Sequence, residues 1–377
     1  MKDSTTINTT INTSAHFSGS YRAEDVRFLL KTIELAPILD LAEKERLIQS
    51  GQRHYSEMLS PETLPSNAYL DLFRRACAAN RQQMARDCLN LAALIAQRKT
   101  GPVTLVSLAR AGTPVGVILG HLLRRVYQNA CSHYSVSIIR DRGIDEVALQ
   151  HILDLGHSPE SIVFIDGWTG KGVISRELRA AVEQFNLKNK VAIDGGLYVL
   201  SDLAGTAACA ASCADYLIPS SILNATVSGL VSRSVLNEST GPGEFHGCVY
   251  YEQFAAYDQS RAFADGLVQD ATLLAEQEGK PPALAIDAGA AQAASRRYME
   301  QAKLRYDISD INLIKPGIGE ATRVLLRRVP ERLIVRDTNV PDVAHLLLLA
   351  REKSIPVTVE TDLPYQAVAL IRSAVDG

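Results

Sequence analysis

The chain has 377 residues, enough for two domains or three. With 46% hydrophobic and 21% charged residues it has ordinary globular composition, which excludes a mostly disordered, collagen-like or coiled-coil chain. A net charge of −3 supplies no global attraction for nucleic acid, so any basic patch must be local, and 6% aromatics with one Trp argue against a stacking platform for single strands.

Residues 1–18 are rich in Ser, Thr and Asn and lack the apolar core of a signal peptide. They read as a disordered tail on a cytoplasmic protein, and no stretch approaches the ~18–20 apolar residues of a membrane span. Residues 21–100 read as mostly helical. Residues 69–98 contain no Gly or Pro and carry apolar residues at helical spacing. A polar, loop-like segment at 51–62 precedes them and groups His54, Tyr55, Ser56 and Glu57.

From residue 102 short apolar runs alternate with helical segments. Strands are expected at 103–108, 134–139, 161–165, 191–193 with 197–200, and 216–218, with helices at 115–127, 145–153 and 173–185 between them. That alternation predicts a doubly wound, mainly parallel α/β sheet with ligands at the carboxyl ends of the strands. Residues 251–280 read as a helical connector that ends at a Gly/Pro break. A second α/β pattern follows over 281–377, with strands at 283–286, 332–335 and 357–359 and a helix at 341–352.

Two strand-end loops have the composition of phosphate sites. Residues 103–116 run from a strand into Ala109, Arg110, Ala111 and Gly112, and Pro114 then opens a helix. Small residues admit backbone N–H groups to an anion, the helix start adds positive dipole, and Arg110 offers a bidentate charge. Residues 161–174 end a strand at Asp166 and continue through Gly167, Thr169, Gly170, Lys171 and Gly172 into a helix. Asp166 stands where a carboxylate could hold ribose hydroxyls or a hydrated magnesium ion. An ATPase P-loop is excluded, because Ile165 and Gly172 stand where it needs its first Gly and its Ser/Thr. Arg140 and Arg142 follow another strand and could clamp a second phosphate. Ser220 and Ser221 lead a hydroxyl-rich stretch suited to a base or sugar.

The six cysteines, Cys77, Cys88, Cys131, Cys209, Cys213 and Cys248, show no CxxC and read as reduced thiols. His246 and Cys248 are two apart and could line one strand face, with His54 as a further base, which leaves a thiol site as an alternative. Residues 315–336 hold six basic and two acidic residues, a local +4.

The Arg110–Gly112 and Asp166–Gly172 loops together resemble the type I phosphoribosyltransferases. That resemblance implies a pyrophosphate loop at Arg110 and a ribose-phosphate loop after Asp166, with Gly167 replacing the second acid of the family. A wider resemblance rests on residues 19–31, 54–58, 137–145, 218–233 and 245–251. It is to bacterial fusion proteins of tellurite-resistance and stress gene clusters, which join a phosphoribosyltransferase-like domain to a pelota-type RNA-binding domain and also carry a StiP-type cysteine-protease label. Gly317, Glu320 and Arg323 resemble the Gly-x-Asn-Glu-x-x-Lys helix start of ribosomal kink-turn binders, with Gly319 in place of the Asn.

The resemblance implies a phosphoribosyltransferase-like domain with an N-terminal helical extension over residues 19–250 and a pelota-like domain over 281–377. It implies phosphoribosyl pyrophosphate or a related nucleotide as partner, magnesium at Asp166, and phosphoribosyl transfer to a nitrogen acceptor, with Asp166, Arg110 and Arg140 catalytic. RNA would meet Lys315, Gly317, Glu320, Arg323 and Arg327, and a homodimer is expected from the fold. The alternatives are a StiP-type cysteine peptidase at Cys248 and a non-catalytic nucleotide or RNA sensor.

Overall fold

A computed structural model describes residues 17–34, 41–60, 62–283, 286–328 and 330–371. Through residue 16, the expected tail lies outside them, as does the middle of the strand expected at 283–286.

The central sheet has seven strands: six are parallel, in the spatial order Arg27–Leu29, Cys131–Ile139, Val103–Ala109, Ile162–Thr169, Leu197–Asp202, Cys209–Ser212, and the short Gly143–Ile144 pairs antiparallel with Cys131–Ile139. Alternation along these strands feeds two cores. Val103, Leu105, Val163, Ile165, Tyr198 and Leu200 face one side, while Val106, Leu108, Ile162, Phe164, Leu197 and Val199 face the other. The first side is covered by helices Asn67–Arg98, Thr113–Arg125 and Ser260–Glu278, the second by Glu146–Asp154 and Val173–Asn189. Burial on both faces explains why the strands read as apolar runs.

Three expectations change. The strand expected at 216–218 is not formed; the edge strand is Cys209–Ser212, whose small side chains carry little hydrophobic signal. Residues 191–193 are irregular and lead into the strand that begins at Leu197. The connector helix is no linker: Phe263, Ala264, Leu267, Val268 and Ala271 are buried in the same core as the long Asn67–Arg98 helix.

The C-terminal part is a four-stranded sheet in the order Ile314–Pro316, Ala367–Leu370, Arg332–Val335, Val357–Val359, mixed in direction. It carries helices Ala288–Arg305, Ile318–Arg327 and Ala344–Glu352. Its buried Ile318, Ala321, Val324 and Leu325 belong to the same apolar cluster as the first domain's helical layer, so the two parts share a core.

From Val103–Ala109 the chain steps to one neighbour, Cys131–Ile139, and then returns to the other side for Ile162–Thr169. The winding direction reverses there, and the Arg110 and Asp166 loops flank this switch point.

Candidate functional site

At the switch point the two loops have different fates. Arg110 is buried and fully engaged. Its guanidinium lies 2.6 Å from Glu62 Oε1 and donates to the Val231 carbonyl at 2.7 Å and to Asn224 Oδ1 at 3.1 Å. Glu62 Oε2 in turn accepts the Ala225 N–H at 3.1 Å. Gly112 is required by close packing, since a Cβ there would sit 2.4 Å from the Ile165 carbonyl oxygen. Ala109 and Ala111 complete this tight strand-to-helix turn.

The second loop meets the C-terminal domain. Thr169 gives its hydroxyl hydrogen to Asp202, whose carboxylate also takes the Thr206 and Ala207 N–H groups. A Cβ on Gly170 would lie 2.7 Å from Glu320 Cγ. Gly172 has φ +69° and a Cβ there would strike the Thr206 side chain. Lys171 donates to the Ile311 carbonyl at 2.8 Å; burial, aided by Lys315, lowers its pKa to about 8. Asp166 accepts the N–H of Gly167 at 2.8 Å, and burial raises it to about 6 against the pull of Arg323. At Gly170 and Gly172 the segment read as a phosphate cradle is therefore occupied by protein, whereas Gly167 faces open space.

The kink-turn-like helix start is the element that occupies it. Gly317, at φ +85°, fits against Leu203, and Gly319 is needed because a Cβ would come within 2.3 Å of the Trp168 indole. Asp215 accepts the Ile318 N–H at 3.0 Å and the Gln366 N–H at 2.8 Å, and burial raises its pKa to about 6. Arg323 lies 4.5 Å over the Trp168 ring and pairs with Glu320 at 3.0 Å. Gly317 and Glu320 thus face the first domain. Arg327 closes the helix, and its side chain lies outside the described residues.

Between the domains, beside these contacts, lies a cleft of about 560 Å³. Arg110, Arg233, Lys315, Arg323, Tyr55 and Asn224 are among the residues that line it. Arg233 donates to the carbonyls of Tyr55, Met58 and Ser234, and its guanidinium lies 5.6 Å over the Tyr55 ring. Arg140 uses its backbone N–H on Tyr55 Oη at 2.8 Å, and Arg142 pairs with Glu57 at 2.6 Å. Ser220 and Ser221 are buried outside the cleft lining. Tyr55, Arg233, Trp168 and Asp215 were missed as site residues. All four stand inside segments singled out in the sequence, Asp215 and Arg233 at the two ends of the hydroxyl-rich stretch, where the Ser residues drew the attention.

The thiol alternative fares unevenly. Cys248 is fully buried, and burial pushes its pKa up to about 12. It lies within electrostatic reach of the Tyr251 phenol, which also feels Glu62, Arg110 and Arg233. His246 Nδ1 shares a 2.8 Å hydrogen bond with buried Ser137, so it does not serve Cys248. His54 Nδ1 is 2.7 Å from Ser56 Oγ. All six cysteines are free, burial raises each thiol's pKa, and among the described residues none hydrogen bonds an imidazole. Nor do these residues bring three His, Cys, Asp or Glu side chains together as a metal site.

Residues 19–268 match the family described as tellurite-like stress resistance cysteine protease StiP. The chain belongs to the StiP family. Residues 293–373 match the PELOTA RNA-binding domain. A protein from Acinetobacter baylyi named cysteine protease StiP is 42% identical over 375 residues, covering 96% of each chain. No solved structure matches. These findings correct the expected activity. A full-length relative named as a cysteine protease overturns phosphoribosyl transfer, and with it the phosphoribosyltransferase class and the donor and magnesium roles built on that reaction. The parallel sheet and the pelota-like domain stand. No helix among the described residues is long and apolar enough to cross a membrane.

Proposed function

We propose that this chain is a stress-resistance cysteine peptidase that works together with RNA held by its C-terminal domain. The end-to-end 42% identity with a relative named as a cysteine protease carries the reading. The RNA half is supported by the match over residues 293–373.

Cys248 is the thiol we put forward, because it shares the electrostatic surroundings of Tyr251, which also feels Arg110 and Arg233 of the cleft lining. Burial pushes this thiol up to about 12, which disfavours the nucleophilic thiolate at neutral pH. Activity then requires exposure of Cys248 beside a base. His54 suits that role better than His246, since its neighbour Tyr55 already lines the cleft.

The test incubates the full chain with an unfolded protein substrate and an electrophilic thiol probe, with and without RNA. Cys248→Ser is expected to abolish cleavage and labelling together, whereas Cys213→Ser, near Asp202 and Asp287, leaves both intact. Cleavage that survives all six single Cys→Ser substitutions would overturn the peptidase reading.

A second reading is a non-catalytic RNA sensor. It is favoured by one observation: every described thiol is raised by burial and none is hydrogen bonded to an imidazole. RNA binding without thiol-dependent cleavage in the same assay would select it.

A further inference from the structure

The helix start that resembles an RNA-contacting motif is covered by the first domain. Ile318 gives its N–H to Asp215, Gly319 abuts Trp168, and the Glu320 side chain packs on Gly170. An RNA bound by this domain therefore has to meet basic groups that remain open beside the covered face. Lys315 and Arg323 both line the interdomain cleft, Arg323 while paired with Glu320 and stacked on Trp168.

The cleft's charge is one-sided. Its lining holds six basic residues, Lys44, Arg110, Arg233, Lys315, Arg323 and Arg328, against one acidic residue, Glu62. Arg110 neutralises Glu62. Lys315 makes no hydrogen bond or ion pair among the described residues; Glu320 and Asp310 act on it from a distance, as do the cations Arg328, Arg140 and Lys171. Arg233 bonds only to carbonyl oxygens and so retains its full charge against the opposite wall. Glu320, beside the cleft, pairs with Arg323 at 3.0 Å, so two acids stand against the six cations, and the excess of like charge around one groove favours an anion.

We infer that the cleft binds the phosphodiester backbone of an RNA strand, gripped by Lys315 and Arg323 from the C-terminal domain and by Arg233 from the first domain. The inference rests on the RNA half of the proposed function and goes beyond it by placing the RNA between the domains. The spread of charge over two walls fits a chain of phosphates better than one terminal phosphate group.

The experiment measures fluorescence anisotropy of a labelled twelve-nucleotide single-stranded RNA with the full chain over a salt series. Lys315→Gln is expected to weaken binding about fivefold and to reduce the slope of log affinity against log salt by about 0.7. Arg296→Gln, an exposed cation on the Ala288–Arg305 helix away from the cleft, is the control and is expected to change neither. Hydrogen exchange of the wild-type chain with the same RNA reads both walls without substitution: slowed exchange is expected in residues 224–233 and in 314–328.

Wild-type binding with Lys315→Gln unaffected, equal loss from Arg296→Gln, or protection confined to the C-terminal domain would overturn the cleft assignment alone. A mononucleotide that binds the cleft as tightly as the strand would make it a nucleotide pocket and overturn it too. A wild-type chain that binds no RNA would take down the RNA half of the proposed function as well.

Discussion

The two loops that flank the switch point look alike in sequence and differ in use. Both leave an apolar strand, both are rich in small residues and both open a helix. The Arg110 loop turns its charged residue inward to the half-buried Glu62 carboxylate and contributes Arg110 to the cleft lining. The Gly167–Gly172 loop turns Gly170 toward Glu320 and Gly172 toward Thr206, and its own Trp168 receives Gly319, so protein fills much of the space an anion would need. A glycine-rich strand-to-helix turn offers close backbone approach to whatever comes near. Composition does not choose between a phosphate and a neighbouring domain.

The comparison can be broken by substitution. The largest effect is expected from Arg110→Ala, which leaves the half-buried Glu62 without its partner and should cost about 3 kcal/mol in urea unfolding. A loss below about 1 kcal/mol would show that the pair is solvated and the loop open. Next comes Asp215→Ala, which strands the N–H groups of Ile318 and Gln366 at the domain contact. A loss of about 1–3 kcal/mol is expected, together with a shift in the emission of Trp168, the chain's one tryptophan. Unchanged emission would mean that the contact at Trp168 does not depend on Asp215.

A pH effect should follow from the same contact. Asp166 and Asp215 are raised by burial from the ordinary 3.8 to about 6. Between those values the folded chain holds protons that the unfolded chain releases, so stability falls as pH rises through that window. Thermal midpoints measured from pH 4 to pH 7 should decline across it, and Asp166→Asn should flatten the decline. The smallest effect is expected at the rim. Arg142 pairs with Glu57 while partly exposed, so Arg142→Ala should change stability by less than about 1 kcal/mol.

Much of the first domain was legible. Strands Val103–Ala109 and Cys131–Ile139 and helix Asn67–Arg98 match their expected extents closely, because burial leaves long apolar runs or unbroken helical spacing in the sequence. The Cys209–Ser212 strand was not legible, since its residues are small and its position at the sheet edge is set by pairing with Leu197–Asp202. The Ser260–Glu278 helix was visible as a helix, but its membership of the first domain's core was not, because that depends on which faces meet in space. Of the candidate site, Arg110 and Asp166 were found through their strand-end positions. Arg233 was missed because nothing in its local sequence marks a guanidinium held by carbonyls of residues 55 and 58.

By itself the sequence determined the alternation of strands and helices, a basic segment from residue 315 to 336 in a mildly acidic chain, and a family resemblance over most of its length. It could do so because periodicity, composition and motif spacing are local properties. Only the tertiary structure decided what each motif faces. It set Glu320 against Gly170, turned His246 toward Ser137 and away from Cys248, and brought Lys315 and Arg233 to one cleft from opposite domains. These are contacts between residues far apart in the chain, and packing of the shared core, not local spacing, fixes them.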